Sequence, residues 1–170
     1  MRIETDRLIL RAIDPDRDFE AWARTMADPR VVRYTGGQVM DRALAWRHMA
    51  ALIGHWHIRG YGFFSVEDRE TGDWVGRVGP WYPEGWPAPE VGWTIAPEHW
   101  GKGFAVEAGR AAIRYAFDEL RWERVVHVIV KGNLQSVAVA KKLGSELVAT
   151  QQGLPGVTDQ AVEIYAQDAS

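Results

Sequence analysis

The sequence predicts one α+β domain, and three observations carry that prediction. A chain of 170 residues with 46% hydrophobic and 25% charged side chains can bury a substantial core. That balance belongs to an ordered, soluble globular protein. Apolar residues at helical spacing alternate along the chain with short β-branched runs, and no repeat, low-complexity tract or linker interrupts them. One run, Val91 to Ile95, breaks at Ala96-Pro97 and passes through Gly101 and Gly103 into a helical pattern.

Arg7 to Ala12 reads as the first strand. Asp14-Pro15 starts a helix, Asp14 as N-cap and Pro15 at the first helical position. Phe19, Trp22, Ala23 and Met26 share its apolar face, and Asp28-Pro29 stops it. A second helix runs from Asp41 to about Arg59, with Ala45, Met49, Leu52, Ile53 and Trp56 in period and Gly60 at its end. Tyr61 to Val66 and Trp74 to Trp81 read as strands joined by a hairpin turn over 68–73. The Pro/Gly-rich stretch 82–89 stays irregular.

After the strand over 91–95, a helix spans about Gly103 to Leu120; Phe104, Ala108, Ala112, Tyr115 and Ala116 give it a small-residue stripe for close packing. Arg124 to Val130 is apolar nearly throughout, as in a strand covered on both faces. Asn133 to Ser136 caps a helix reaching Leu143, with Gly144 after it. Glu146 to Gln151 and Val162 to Ala166 read as closing strands around Pro155-Gly156.

Composition narrows the function. A net charge of −3 and a pI near 6.0 give no reason to expect nucleic acid or an anionic membrane as partner. The absence of cysteine excludes disulfides, thiolate nucleophiles and thiolate metal sites, and fits a reducing cytoplasm. The start of the chain is charged, without the apolar segment of a signal peptide, and no apolar run approaches the ~20 residues of a membrane span. His55 and His57 are two apart on a helix and face different ways, so they hold no metal; His127 reads as a core histidine and His99 as a loop residue.

A strand, a glycine turn and a helix start aim several backbone N–H groups at one spot, where the helix dipole also favours negative charge. Glycine lets a ligand approach the backbone closely. Read alone, this is a phosphate cradle or an ordinary strand–helix turn. The second half of the chain adds Asn133-x-x-Ser136 and Lys142-Leu-Gly144 after the next strand.

Together with Trp100-Gly-Lys-Gly-Phe-Ala105, this arrangement resembles the GNAT superfamily of acetyl-CoA-dependent N-acyltransferases, whose phosphate loop has the form Arg/Gln-x-x-Gly-x-Gly/Ala. More narrowly it is similar to the RimJ/RimL-type branch of ribosomal-protein N-terminal acetyltransferases. That branch is marked here by Glu4 to Arg11, Glu90 to Trp93 and Trp100 to Ala108. The resemblance covers roughly Ile3 to Ala166. Two positions depart from it. The superfamily's Arg or Gln is absent ahead of Gly101, where Trp100 precedes the glycine, which leaves the backbone cradle intact, and Ser145 stands where Phe or Met often follows the glycine.

The resemblance implies a mixed, mostly antiparallel sheet of about seven strands, flanked by about four helices, whose fourth and fifth strands splay apart in a V. Acetyl-CoA is the implied cosubstrate, with no metal. Its pantetheine arm would bond backbone near Thr94 and Ile95, and its pyrophosphate would lie along Trp100, Gly101, Lys102, Gly103, Phe104 and Ala105. Asn133 would hold the arm and Ser136 would lie near the thioester sulfur.

Acyl transfer to an amine needs a neutral nucleophile, a stabilised oxyanion and a proton for the departing thiolate. A terminal α-amine has a pKa of about 7.7–8.0, so a carboxylate need only remove its proton. Direct attack needs no covalent enzyme intermediate. Glu90 is the candidate base; its alternative is an exposed strand-edge carboxylate or one that only orients the amine. Ser136 is the candidate acid, the superfamily's frequent tyrosine four residues on being Ala140 here; otherwise it is a helix-cap hydroxyl. Asn133 is a cofactor contact or a turn residue.

Trp81, Tyr82 and Trp86 line the acceptor channel or anchor their loop, and Glu107 serves packing or helix-start electrostatics. The acceptor is a small-molecule amine or a protein N-terminus, and a homodimer is among the states open to the chain. The rival reading is a non-catalytic CoA-binding module, which the joint presence of Glu90, Asn133 and Ser136 opposes.

Overall fold

A sheet of eight strands in the order β1-β2-β3-β4-β5-β6-β8-β7 organises the molecule. It is seen in a computed structural model that describes residues 1–35, 38–154 and 157–169. In chain order the elements are β1 (Arg2–Glu4), β2 (Leu8–Arg11), α1 (Pro15–Met26), α2 (Pro29–Val32), α3 (Arg42–Arg59), β3 (Phe64–Asp68), β4 (Trp74–Trp81) and β5 (Glu90–Ile95). A 3-10 turn over Pro97–His99 leads to α4 (Phe104–Asp118), β6 (Arg124–Val130), α5 (Leu134–Lys142), β7 (Glu146–Leu154) and β8 (Thr158–Asp168).

Local chemistry accounts for the helix ends. Asp14 caps α1 by accepting from the Asp16 N–H, with Pro15 at the first position. Asp41 caps α3 by accepting from the Leu44 N–H, and Gly60 closes it at φ +76°. Asp28-Pro29 ends α1 but also repeats the Asp14-Pro15 device. Asp28 accepts from the Arg30 N–H and starts the short α2, which was not expected. The strand expected at Arg7 is two: a turn over 5–7 folds β1 back on β2, so the described sheet has eight strands and not about seven. The strand expected from Tyr61 begins at Phe64, because the Tyr61 carbonyl bonds His55 and Gly62 lies under the Trp56 ring. Pro155-Gly156 lies outside the described residues.

Two apolar layers sandwich the sheet. Leu8, Leu10, Phe64, Val66, Val75, Val78, Val91 and Val125 meet the small-residue face of α4. On the other face Phe63 and Trp74 pack on α1, α2 and α3 through Trp22, Met26, Val31, Met49 and Leu52. This division places the site, because the sheet opens between the two layers. All pairings are antiparallel except β5 with β6, which run parallel and register only at Glu90↔Val126. Beyond that pair the strands diverge, as the resemblance implied.

Candidate active site

Two side chains complete the hydrogen bonding where β5 and β6 part. The Val126 N–H still reaches the Pro89 carbonyl at 2.9 Å. The next rung of a parallel ladder would join the Val128 N–H to the Val91 carbonyl. Instead Val128 donates to Glu90 Oε1 at 3.2 Å, and Val91 O accepts from His127 Nδ1 at 2.6 Å. A carbonyl cannot donate, so His127 carries its proton on Nδ1 and its Nε2 accepts from Ser145 Oγ at 2.9 Å. Burial drives the His127 pKa down to about 4, against the Val91 bond. It is a satisfied core histidine, as expected, and it props the splay open.

Glu90 is not the exposed carboxylate of the alternative reading; it is 7% exposed. Trp86 Nε1–H donates to its Oε2 at 2.6 Å. Desolvation raises its pKa to about 7, opposed by the Val128 N–H, by Trp86 and by the charge of Arg77. Two accepted bonds leave further lone pairs on the carboxylate. Glu90, Asn133 and Ser136 line one narrow cleft with Gly92, Trp93, His127 and Val128, and with Tyr34 and Thr35 from the chain after α2.

Asn133 caps α5, its Oδ1 accepting from the Ser136 N–H at 3.2 Å, and the residue lines the cleft. Trp93 Nε1–H donates to Ser136 Oγ at 3.3 Å, so the hydroxyl proton is free to be given away. Thr94 is buried with Oγ1 unpartnered. The Ile95 carbonyl accepts from Trp100 Nε1–H at 2.7 Å, which pins the start of the glycine loop.

That loop suits an anion. Gly101 and Gly103 take φ +76° and +81°, where a side chain is strained, and nothing stands within 4 Å of where a Gly101 Cβ would be. Gly103 is the N-cap of α4 and supplies no side-chain acceptor, so the first N–H groups of the helix have no side-chain cap. Phe104 buries its ring in the core and can offer only its backbone; Lys102 lies beside His99 at 3.3 Å. These features fit the diphosphate of a CoA-type ligand.

Sequence reasoning missed what holds the loop. Glu107 accepts from Thr5 Oγ1 at 2.6 Å and from the Arg7 N–H at 2.8 Å, and pairs with the Arg7 guanidinium. Arg7 Nη1–H reaches the Lys102 carbonyl at 2.9 Å. Two motifs a hundred residues apart are therefore one contact, and their co-occurrence was the available signal. His55 was missed likewise. Its Nδ1–H bonds the Tyr61 carbonyl, its Nε2 accepts from the Tyr82 N–H at 3.3 Å, and its ring stacks on Trp81 at 4.4 Å. Of Trp81, which ends β4, and the loop residues Tyr82 and Trp86, Trp86 is the one that bonds Glu90.

A family profile described as Acetyltransferase (GNAT) domain matches residues 7–146. The chain is 31% identical over 150 residues to the uncharacterized protein YkkB of Bacillus subtilis (strain 168), covering 84% of each. It is 31% identical over 144 residues to the uncharacterized N-acetyltransferase YoaA of the same organism, covering 84% of this chain and 81% of that one. Among solved structures, the acetyltransferase from Agrobacterium tumefaciens str. C58 matches with a TM-score of 0.84 at 28% identity, covering 99% of this chain and 95% of that one.

Proposed function

This chain belongs to the GNAT acetyltransferase family, and on that premise we propose that it works as one domain transferring an acetyl group from acetyl-CoA directly to a primary amine. The acceptor is a small-molecule amine or a peptide N-terminus, as in the RimJ/RimL-type branch. When bound, acetyl-CoA supplies the activated acetyl thioester. Backbone N–H groups from Gly101 to Ala105 hold its diphosphate, and Asn133 orients its arm. Along β5 the Ile95 N–H turns away from β4 towards the gap, whereas Thr94 directs its backbone at Arg77 of β4.

Glu90 takes the proton of the attacking ammonium, directly or through a water. A carboxylate ionising at about 7 is matched to an α-amine that ionises near 7.7–8.0. Ser136 gives its free hydroxyl proton to the departing sulfur, and Trp93 fixes its oxygen. Trp81, Tyr82 and Trp86 line the approach of the acceptor.

The observation that supports this reading most is the parting of β5 and β6 directly after Glu90, with that buried carboxyl turned into the gap. The test is thiol release from acetyl-CoA across a panel of amines. Acceptor-dependent release is expected. Firm CoA binding with no release for any amine would replace this reading with the non-catalytic binding module.

A further inference from the structure

Arg77 is a buried cation with no hydrogen-bonded ion-pair partner among the described residues; the one carboxylate whose charge acts on it is Glu90, through space. Arg77 is 9% exposed, and no carboxylate, carbonyl or hydroxyl among the described residues bonds it at any nitrogen. Its guanidinium carbon lies over Phe63, 4.1 Å from the ring centroid, and 5.9 Å from that of Trp22. Asp18, the buried carboxylate nearest along α1, is fully engaged by Arg11, the Ser65 hydroxyl and the Asp14 N–H. Burying an unpaired charge costs several kcal/mol in general, and burial depresses the Arg77 pKa to about 10. A fold tolerates this where a ligand supplies the missing anion.

A second, independent observation marks the same spot. The buried side-chain polar atoms that lack a partner among the described residues are Trp22 Nε1, His48 Nδ1, Arg77 Nε and Thr94 Oγ1. They form one group: Arg77 pairs across the sheet with Thr94, its guanidinium faces Trp22, and the Trp22 and His48 rings lie 5.5 Å apart. Every one of the four can donate a hydrogen bond, as an anion requires. Arg77, Thr94, Gly92 and Glu90 share one face of the sheet, since Trp81 pairs with Glu90 and Arg77 with Thr94. The Phe63 ring lies between the guanidinium and the Glu90 carboxyl, its edge 3.1 Å from where a Gly92 Cβ would be.

From this geometry we infer that the acceptor amine carries an anionic group, a carboxylate, which Arg77 binds with Thr94 and Trp22 while the amine lies at Glu90. This rests on the acyl-transfer reading above. Glu90 and Thr94 are four residues apart, or ~13 Å along β5, and the Arg77 side chain leans back across Phe63. The carboxylate is therefore several bonds from the amine, as in an ω-amino acid or a short peptide.

The experiment takes a series of ω-amino carboxylates, their amides and the matching aminophosphonates. It measures kcat/KM by thiol release and, separately, binding to the CoA-loaded protein by calorimetry. The carboxylate is expected to exceed its amide by about 30-fold or more, as for other buried charge pairs, and Arg77→Met is expected to abolish the difference. Arg77→Met should also raise the melting point of the ligand-free protein, by removing an unsatisfied charge. A preference for the phosphonates means the anion is a phosphate-type group and overturns the carboxylate assignment.

Equal use of carboxylates and amides, a preference that survives Arg77→Met, or a melting point lowered by that change overturns the anion site and leaves acetyl transfer standing. Arg77-dependent binding of carboxylates without thiol release for any amine does the reverse.

Discussion

Replacing Glu90 by glutamine tests the proposed base on two axes at once. In the fold the carboxyl ionises at about 7, and in the unfolded chain at about 4.3. At ~1.4 kcal/mol per pKa step, ionising it in the folded protein costs about 4 kcal/mol of stability. The sign follows from the raised value. The contribution is intact below the unfolded pKa, shrinks as pH rises through the window from about 4.3 to 7, and is gone above it. Glutamine has no such dependence, but its amide nitrogen must face one of two donors, Trp86 Nε1–H or Val128 N–H. That mismatch costs about 1–3 kcal/mol at every pH.

Urea unfolding at pH 4.5 and pH 8 should therefore show the variant less stable at the lower pH, and equal or more stable at the higher. The wild-type advantage falls by about 3 kcal/mol between them. His48 and His127 titrate in both proteins and drop out of the difference. In kcat/KM the loss should be about 10²- to 10⁴-fold. The acid limb should also change from a slope approaching two, for base and amine together, to the single slope of the amine. A stability difference independent of pH, or a variant that keeps both rate and limb, would refute the assignment.

Other expectations follow from the same geometry. Trp86→Phe removes a donor from the Glu90 carboxylate, so its pKa rises further and the acid limb of kcat/KM moves to higher pH in a rate profile. Ser136→Ala lowers kcat and leaves acetyl-CoA affinity unchanged, read by steady-state kinetics beside calorimetry. Glu107→Ala removes an acceptor from the Thr5 hydroxyl and from the Arg7 N–H, at part-buried and exposed positions, which costs about 0.5–1.5 kcal/mol in urea unfolding and weakens CoA binding by loosening Arg7 from the Lys102 carbonyl. His127 is held to about 4 in the fold, so the unfolded chain takes its proton first. Stability is lost as pH falls from about 6.5 to 4, by about 3 kcal/mol. His127→Gln should flatten that slope in acid-unfolding curves.

Much of this architecture is local chemistry and was legible in the residues. Asp14-Pro15, Asp41 with Gly60, and Asn133 mark helix ends by capping, and β4 and β6 have the bounds their apolar runs announced. The rest depended on partners distant in the chain. β8 reaches from Thr158 to Asp168, beyond the 162–166 expected, because polar residues such as Gln152 and Thr158 lie in a hairpin whose pairing continues outside the core. The glycine loop, Glu90, Asn133 and Ser136 could be named because each sits in a compact motif. Their support could not. Arg7 reaches Glu107 across 100 positions, and Arg77 reads as one charge in an apolar strand until Phe63, Trp22 and Thr94 surround it. Satisfaction of buried polar groups is a tertiary property, and no spacing announces it.

Calorimetric titration with acetyl-CoA of the wild-type protein and of Gly103→Val bears on the central claim most directly. A branched side chain at φ +81° is strained and misdirects the first N–H groups of α4. Saturable heat in the wild type and its loss in a variant that still folds is the predicted result. No heat in the wild type, or equal affinity in both, would contradict an acyl donor held at that helix end.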